Sequence, residues 1–163
     1  IELEGMTETT DVQLHANEAL RYVIYIDEER YKMEEAGDVD RIVTKEPLGE
    51  GYPEVYMEIS QEIGKSKEEL IQGIKEDSMR KDFLITNEEK VSEPVESILI
   101  ETIEQDETTG EMRHGWDTMI EKYYVIEVSE NHFFIVKQVY FQEAAEGHGA
   151  RFYHMLTSFD IIH

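Results

Sequence analysis

Cysteine is absent from the 163 residues, which removes disulfides, cysteine-ligated zinc, thiol catalysis and thiol redox chemistry. Basic residues are scarce: 15 Lys and Arg stand against 38 Asp and Glu, a formal net charge of −23. Such an excess repels phosphate backbones and argues against nonspecific nucleic-acid binding. It also leaves no Lys/Arg cluster for docking on anionic lipid. No apolar run approaches the length of a spanning helix, so no segment reads as one. Missing too are a Gly-x-Ser-x-Gly elbow, a phosphate loop and a dinucleotide fingerprint. The histidines, at 15, 114, 132, 148, 154 and 163, never recur four apart, so zinc has no local signature. Neither a metal nor a cofactor is expected.

What the chain does have is core-forming material. Leu, Ile, Val and Phe make up 42 of the 163 residues, above the level at which a highly charged chain stays unfolded. The charge is uneven. Residues 131–163 carry Glu143, Glu146 and Asp160 against Lys137 and Arg151. The C-terminal part therefore reads as core, and the acidic remainder as a solvated surface wrapped around it. The polar, acidic opening reads as a linker or extension over residues 1–19, leading into a single domain over 20–163. A chain that opens on Ile1 is expected to follow a removed targeting segment, as in an exported, surface-tethered protein. A cytoplasmic protein is the alternative.

Along the chain, Tyr22–Ile26 is a short run rich in β-branched and aromatic residues and predicts a buried strand. Val39–Thr44 predicts the next. Val55, Met57 and Ile59 then share one face and Tyr56, Glu58 and Ser60 the other, the period of a half-buried strand. Ser66-Lys67-Glu68-Glu69 is a capping box, followed by Leu70, Ile71 and Ile74 at helical spacing, so a helix is expected to about Arg80. Gly73 inside it costs about 1 kcal/mol relative to Ala, which implies close packing there. Strands follow at Phe83–Thr86, Val95–Ile103 and Met119–Val128. Ser129-Glu130-Asn131 turns the chain into Phe133–Phe141, apolar on both faces as in a central strand. Glu143–Thr157 predicts a closing helix with Ala145, Gly149, Phe152, Tyr153 and Leu156 inward. The order of elements predicts an α+β fold, an antiparallel sheet with helices packed on its faces.

The helix from Ser66, the strand Val95–Ile103, the pair Met119–Val128 and Phe133–Phe141, and the ending Phe152-Tyr153-His154-Met155-Leu156-Thr157-Ser158-Phe159 together resemble the PsbP-like superfamily. That group spans an extrinsic photosystem II subunit, a yeast Ran-GTPase-release protein and bacterial exported lipoproteins. The resemblance covers roughly residues 20–162. It implies an αβα sandwich without catalytic activity, used for docking to partners, with an exported bacterial relative as the nearest analogy. No family binding motif is matched, so no functional residue is carried over.

The candidate partner-binding residues come instead from the connections. The thirteen-residue stretch Gln105–Asp117 carries Met112, His114 and Trp116, the chain's single Trp. Connections this long are often functional, and Trp is enriched at binding hot spots. Tyr52, after Gly49-Glu50-Gly51, is a second aromatic placed for presentation. Tyr52, His114 and Trp116 are therefore the expected contacts to a protein or cell-envelope component. Two other readings follow from the abundance of acids. One is a carboxylate-dependent hydrolase of an envelope glycan or ester. The other is a calcium-responsive stability module using Asp38 and Asp40, or Asp106, Glu107 and Glu111.

Overall fold

The computed structural model describes residues 11–163 and the backbone of a short pairing between β1 (Glu2–Leu3) and β2 (Met6–Thr7). Residues 1, 4, 5 and 8–10 of the expected extension lie outside the described residues. From residue 11 onward the expected extension is described. Val12–Asn17 forms β3, paired antiparallel with β4 (Tyr22–Asp27). Its outward positions are exposed and only Asn17 is buried, so it lacks the apolar alternation by which a strand is recognised.

The elements that follow are β5 (Tyr31–Ala36), β6 (Val39–Thr44), β7 (Tyr56–Ile63), α1 (Lys67–Arg80), β8 (Phe83–Val91) and β9 (Ser97–Glu104). Then come β10 (Met119–Ser129), β11 (His132–Phe141), α2 (Ala150–Leu156) and β12 (Asp160–Ile161). Seven strands form one antiparallel sheet in the order β5-β6-β7-β11-β10-β9-β8, and β12-β4-β3 form a second, smaller one. The fold is α+β. β11 occupies the centre of the large sheet, as its two-faced apolar run requires. The β10–β11 hairpin closes through Asn131, whose φ of 57° is a left-handed conformation that Asn tolerates.

The faces of the large sheet are covered unequally. On one, α1 lays Leu70 and Ile74 over Ile100, Tyr123, Val125 and Phe133. Ser66 caps this helix, its hydroxyl accepting from the Glu69 amide at 3.2 Å and donating to the Glu69 carboxylate at 3.2 Å. The half of that face formed by β5, β6 and β7 carries no helix. On the opposite face, Tyr22, Ile24 and Ile26 of β4 and Phe152, Met155 and Leu156 of α2 close over Met57, Ile59, Phe134 and Val136. The second cover is thus a small sheet together with a helix. That refines the expectation of helices alone: β4 joins the covering layer because β3 and β12 pair along its two edges.

The closing helix also differs from expectation. A 3₁₀ turn at Gln142–Ala144 and a π-helical stretch at Ala145–Gly149 precede α2. The wider π turn changes the register of the faces. Phe152, Met155 and Leu156 point inward, while Tyr153 is exposed. Gly149 is needed at this point, because a Cβ there would lie 3.1 Å from the Tyr140 ring.

Candidate functional site

One end of the sandwich gathers two long connections. The β6–β7 connection carries Tyr52 between Gly49 and Pro53, with Gly49 and Gly51 at φ of 113° and 86°, values that favour glycine. The β9–β10 connection opens as a small hairpin. Asp106 N donates to Glu111 O at 2.7 Å, and Gln105 bridges Met112. The Asp106 carboxylate accepts the amides of Thr108 and Thr109 at 2.8 and 3.0 Å. Those backbone donors hold its carboxyl below the ordinary aspartate value.

Arg113 fastens the second half of this connection. Its guanidinium reaches Asp117 at 2.8 Å, Thr118 Oγ1 at 3.1 Å and Glu104 at 3.6 Å. Glu143 N donates to Trp116 O at 2.9 Å, so the tryptophan backbone is tied to the end of β11. The Trp116 ring meets Phe141 edge-on with centroids 5.9 Å apart and Tyr52 at 5.5 Å; Tyr52 lies 6.0 Å from Phe141. These are ordinary aromatic-pair distances. Phe141 is buried, while Tyr52 and Trp116 remain 51% and 47% exposed.

Two expected site residues, 64 positions apart in the chain, are therefore in contact. His114 is exposed and lines, with Trp116, a hollow that Tyr52 does not border. There it joins Met112 and Glu143 around a shallow space of about 420 Å³. Phe141 is the part of this site that sequence reasoning missed, because a strand-terminal aromatic in an apolar run reads as core. On the other side of Tyr52, a cleft of about 440 Å³ runs over the open half of the large sheet, lined in part by Lys32, Arg41, Lys45 and Tyr56. Arg41 is engaged there by Glu58 at 2.8 Å and stacks 4.1 Å from the Tyr56 ring centroid.

The acidic groups weighed for catalysis or calcium are dispersed. Asp38 is exposed in its turn. Asp40 is fully buried between the two sheets, accepting from Asn17 Nδ2 at 2.7 Å and from the Tyr22 hydroxyl. The two cannot share one ion as the turn reading expected, because strand alternation sends Asp40 to the core face. Glu121, the buried carboxylate of β10, lies on the opposite face of the large sheet, against Lys81 at 2.7 Å. Asp40 and Glu121 thus open on no common cleft. Among the described residues no group of three or more His, Asp or Glu is arranged to hold a metal ion. No helix there is long and apolar enough to cross a membrane.

The arrangement is that of a PsbP-like α+β fold. A search of solved structures matches the solution structure of cyanobacterial PsbP (CyanoP) from Synechocystis sp. PCC 6803, with a TM-score of 0.53 over 94% of each chain and 10% sequence identity. That likeness is one of fold. No protein-family model matches the chain, and no curated protein does.

Proposed function

We propose that this chain is a non-catalytic docking domain, exported or displayed at the cell surface, that binds a protein or cell-envelope component through its Tyr52–Trp116 end. The observation that carries the reading is the aromatic pair itself. Two separate connections bring Tyr52 and Trp116 together over buried Phe141 and leave both rings half exposed. A paired, backbone-anchored aromatic patch is the kind of feature that supplies binding hot spots. The PsbP-like fold agrees with a docking role, and exported lipoprotein-type relatives offer the setting by analogy of fold. The dispersal of Asp40 and Glu121 onto opposite faces gives the hydrolase reading no geometric support.

The test is a crosslinked pull-down from envelope extract of the source organism, with a charge-matched acidic protein as control. One saturable partner that is absent from the control supports docking. Trp116→Ala and Tyr52→Ala should each weaken capture by about 30-fold, the effect of losing a hot-spot residue worth about 2 kcal/mol. Tyr153→Ala, at an exposed aromatic on α2, should leave it unchanged. Capture that the acidic control reproduces, or that survives both aromatic truncations, refutes this site.

A further inference from the structure

The α1 face of the large sheet holds a second cluster, separate from the aromatic end. Cross-strand register lines up Arg41 on β6, Glu58 on β7, Lys137 on β11 and Tyr123 on β10. Glu121 follows two residues away on the same face, and the C-terminus of α1 brings Lys81 over it. Glu121 is 8% exposed, and one of its oxygens, Oε1, takes three neighbours. These are Lys81 Nζ at 2.7 Å, the Tyr123 hydroxyl at 2.8 Å and Lys137 Nζ at 3.8 Å.

Charge does not balance around Lys137. Glu58 is engaged by Arg41 at 2.8 Å and Asp77 by Arg80 at 2.7 Å. Glu121 is left to offset two ammonium groups, and Lys81 holds it at the shorter distance. A shallow, open cavity of about 490 Å³ lies here, lined by Ile74, Asp77, Arg80, Lys81, Tyr123 and Lys137. The Lys137 Nζ lies over the Tyr123 ring, 5.6 Å from its centroid.

We propose that Lys137 is a nucleophilic amine that captures a small anionic aldehyde or ketone in this cavity as an imine. A half-buried lysine beside a second cation is the arrangement that yields a reactive amine at neutral pH. Burial pushes the Lys137 ammonium below the ordinary lysine value; Glu121 and Glu58 oppose this, and Lys81 reinforces it. The nitrogen lone pair forms the new bond to the carbonyl carbon, and the carbonyl electron pair moves to oxygen. That oxygen then leaves as water with the two amine protons, giving the imine with no further reactant. Lys81 is the positioning residue: it occupies Glu121 and places positive charge beside the cavity. An anionic carbonyl compound is favoured for that reason.

Lys122 provides an internal comparison. It lies on the opposite face, 3.7 Å from Glu101 and with its Nζ 5.8 Å from the Tyr140 ring centroid, and its ammonium is held above the ordinary value by Tyr140 and Glu101 against the opposing effect of burial. The test treats the intact chain with pyridoxal 5′-phosphate, reduces the adduct with borohydride and maps the labelled peptides. Lys137 should carry most of the label, severalfold more than Lys122, because the two ammonium groups are displaced in opposite directions. Pyridoxal without its phosphate should label Lys137 less. Lys137→Met should remove the label, and Lys81→Met should move the pH profile of Lys137 labelling upward, which a purely structural Lys81 would not do. Labelling that follows solvent exposure across the lysines, or a pH profile unmoved in Lys81→Met, overturns the proposal. Equal yields from the two aldehydes overturn the preference for an anion.

Discussion

Gly73→Ala is expected to stabilise the chain by about 1 kcal/mol, the helix-propensity difference between the two residues. The position is inside α1, and a Cβ built there meets no heavy atom within 4 Å. The close packing that a mid-helix glycine implied is absent. Alanine therefore gains helical preference and narrows the unfolded ensemble with no steric cost. For a chain of this length 1 kcal/mol corresponds to a rise of about 2–4 °C in Tm. Gly149→Ala is the matched contrast. Its Cβ would sit 3.1, 3.2 and 3.4 Å from three carbons of the Tyr140 ring, and that ring is buried. Crowding of this kind costs about 1–3 kcal/mol, against a propensity gain of about 1 kcal/mol, and the buried ring has little room to give, so a net loss is expected. Thermal and urea unfolding of both variants, followed by far-ultraviolet circular dichroism, checks the pair. A Gly73→Ala variant no more stable than the parent, or a Gly149→Ala variant that is more stable, would refute this account of the two helices.

Three further outcomes are expected. Asp106 is held below the ordinary aspartate value by the Thr109 and Thr108 amides, so its contribution is present above that value and is lost as pH falls through the lower folded one. Acid titration followed by Trp116 emission should show this step in the parent and not in Asp106→Ala; identical titrations would show that the turn does not order the Trp116 connection. His148 is held below the ordinary histidine value by burial and then by Arg151, with Nδ1 2.7 Å from the Tyr31 hydroxyl, while burial pushes Tyr31 up to about 12. A depressed histidine contributes stability that is full above about pH 6.5 and declines as pH falls toward its folded value. His148→Gln should flatten the fall of Tm as pH drops below about 6.5, and an unchanged slope would remove His148 as its source. Asp40→Ala leaves the Asn17 amide and the Tyr22 hydroxyl without their buried acceptor, at about 1–3 kcal/mol for each stranded donor; urea unfolding within 0.5 kcal/mol of the parent, the range of ordinary surface substitutions, would show that other groups replace it.

Several elements were legible because their signals are local. The Ser66 box set the start of α1, and Met57 and Ile59 alternated as a half-buried strand must. Ser129-Glu130-Asn131 marked the hairpin, and the run from Phe133 announced a strand covered on both sides, which is β11 at the centre of the large sheet. Tyr52 and Trp116 stood out by residue type and by the length of their connections. Composition alone carried the arguments against thiol chemistry and against nonspecific binding to polyanions.

Other features depended on which segments meet. Val12–Asn17 looks like an extension because its side chains are mostly polar or exposed; it is a strand because β4 offers it an edge. A π turn at Ala145–Gly149 precedes α2, whose inward face is Phe152, Met155 and Leu156 and leaves Tyr153 exposed. The contact between Tyr52 and Trp116, the seat of Asp40 between two sheets, and the grouping of Lys81, Glu121 and Lys137 each join segments far apart in the chain. A period of two or 3.6 residues tells a segment which face it must bury. Sheet order and cross-strand register decide what lies opposite that face, and they are set by pairing between distant segments, so only the tertiary structure could assemble those sites.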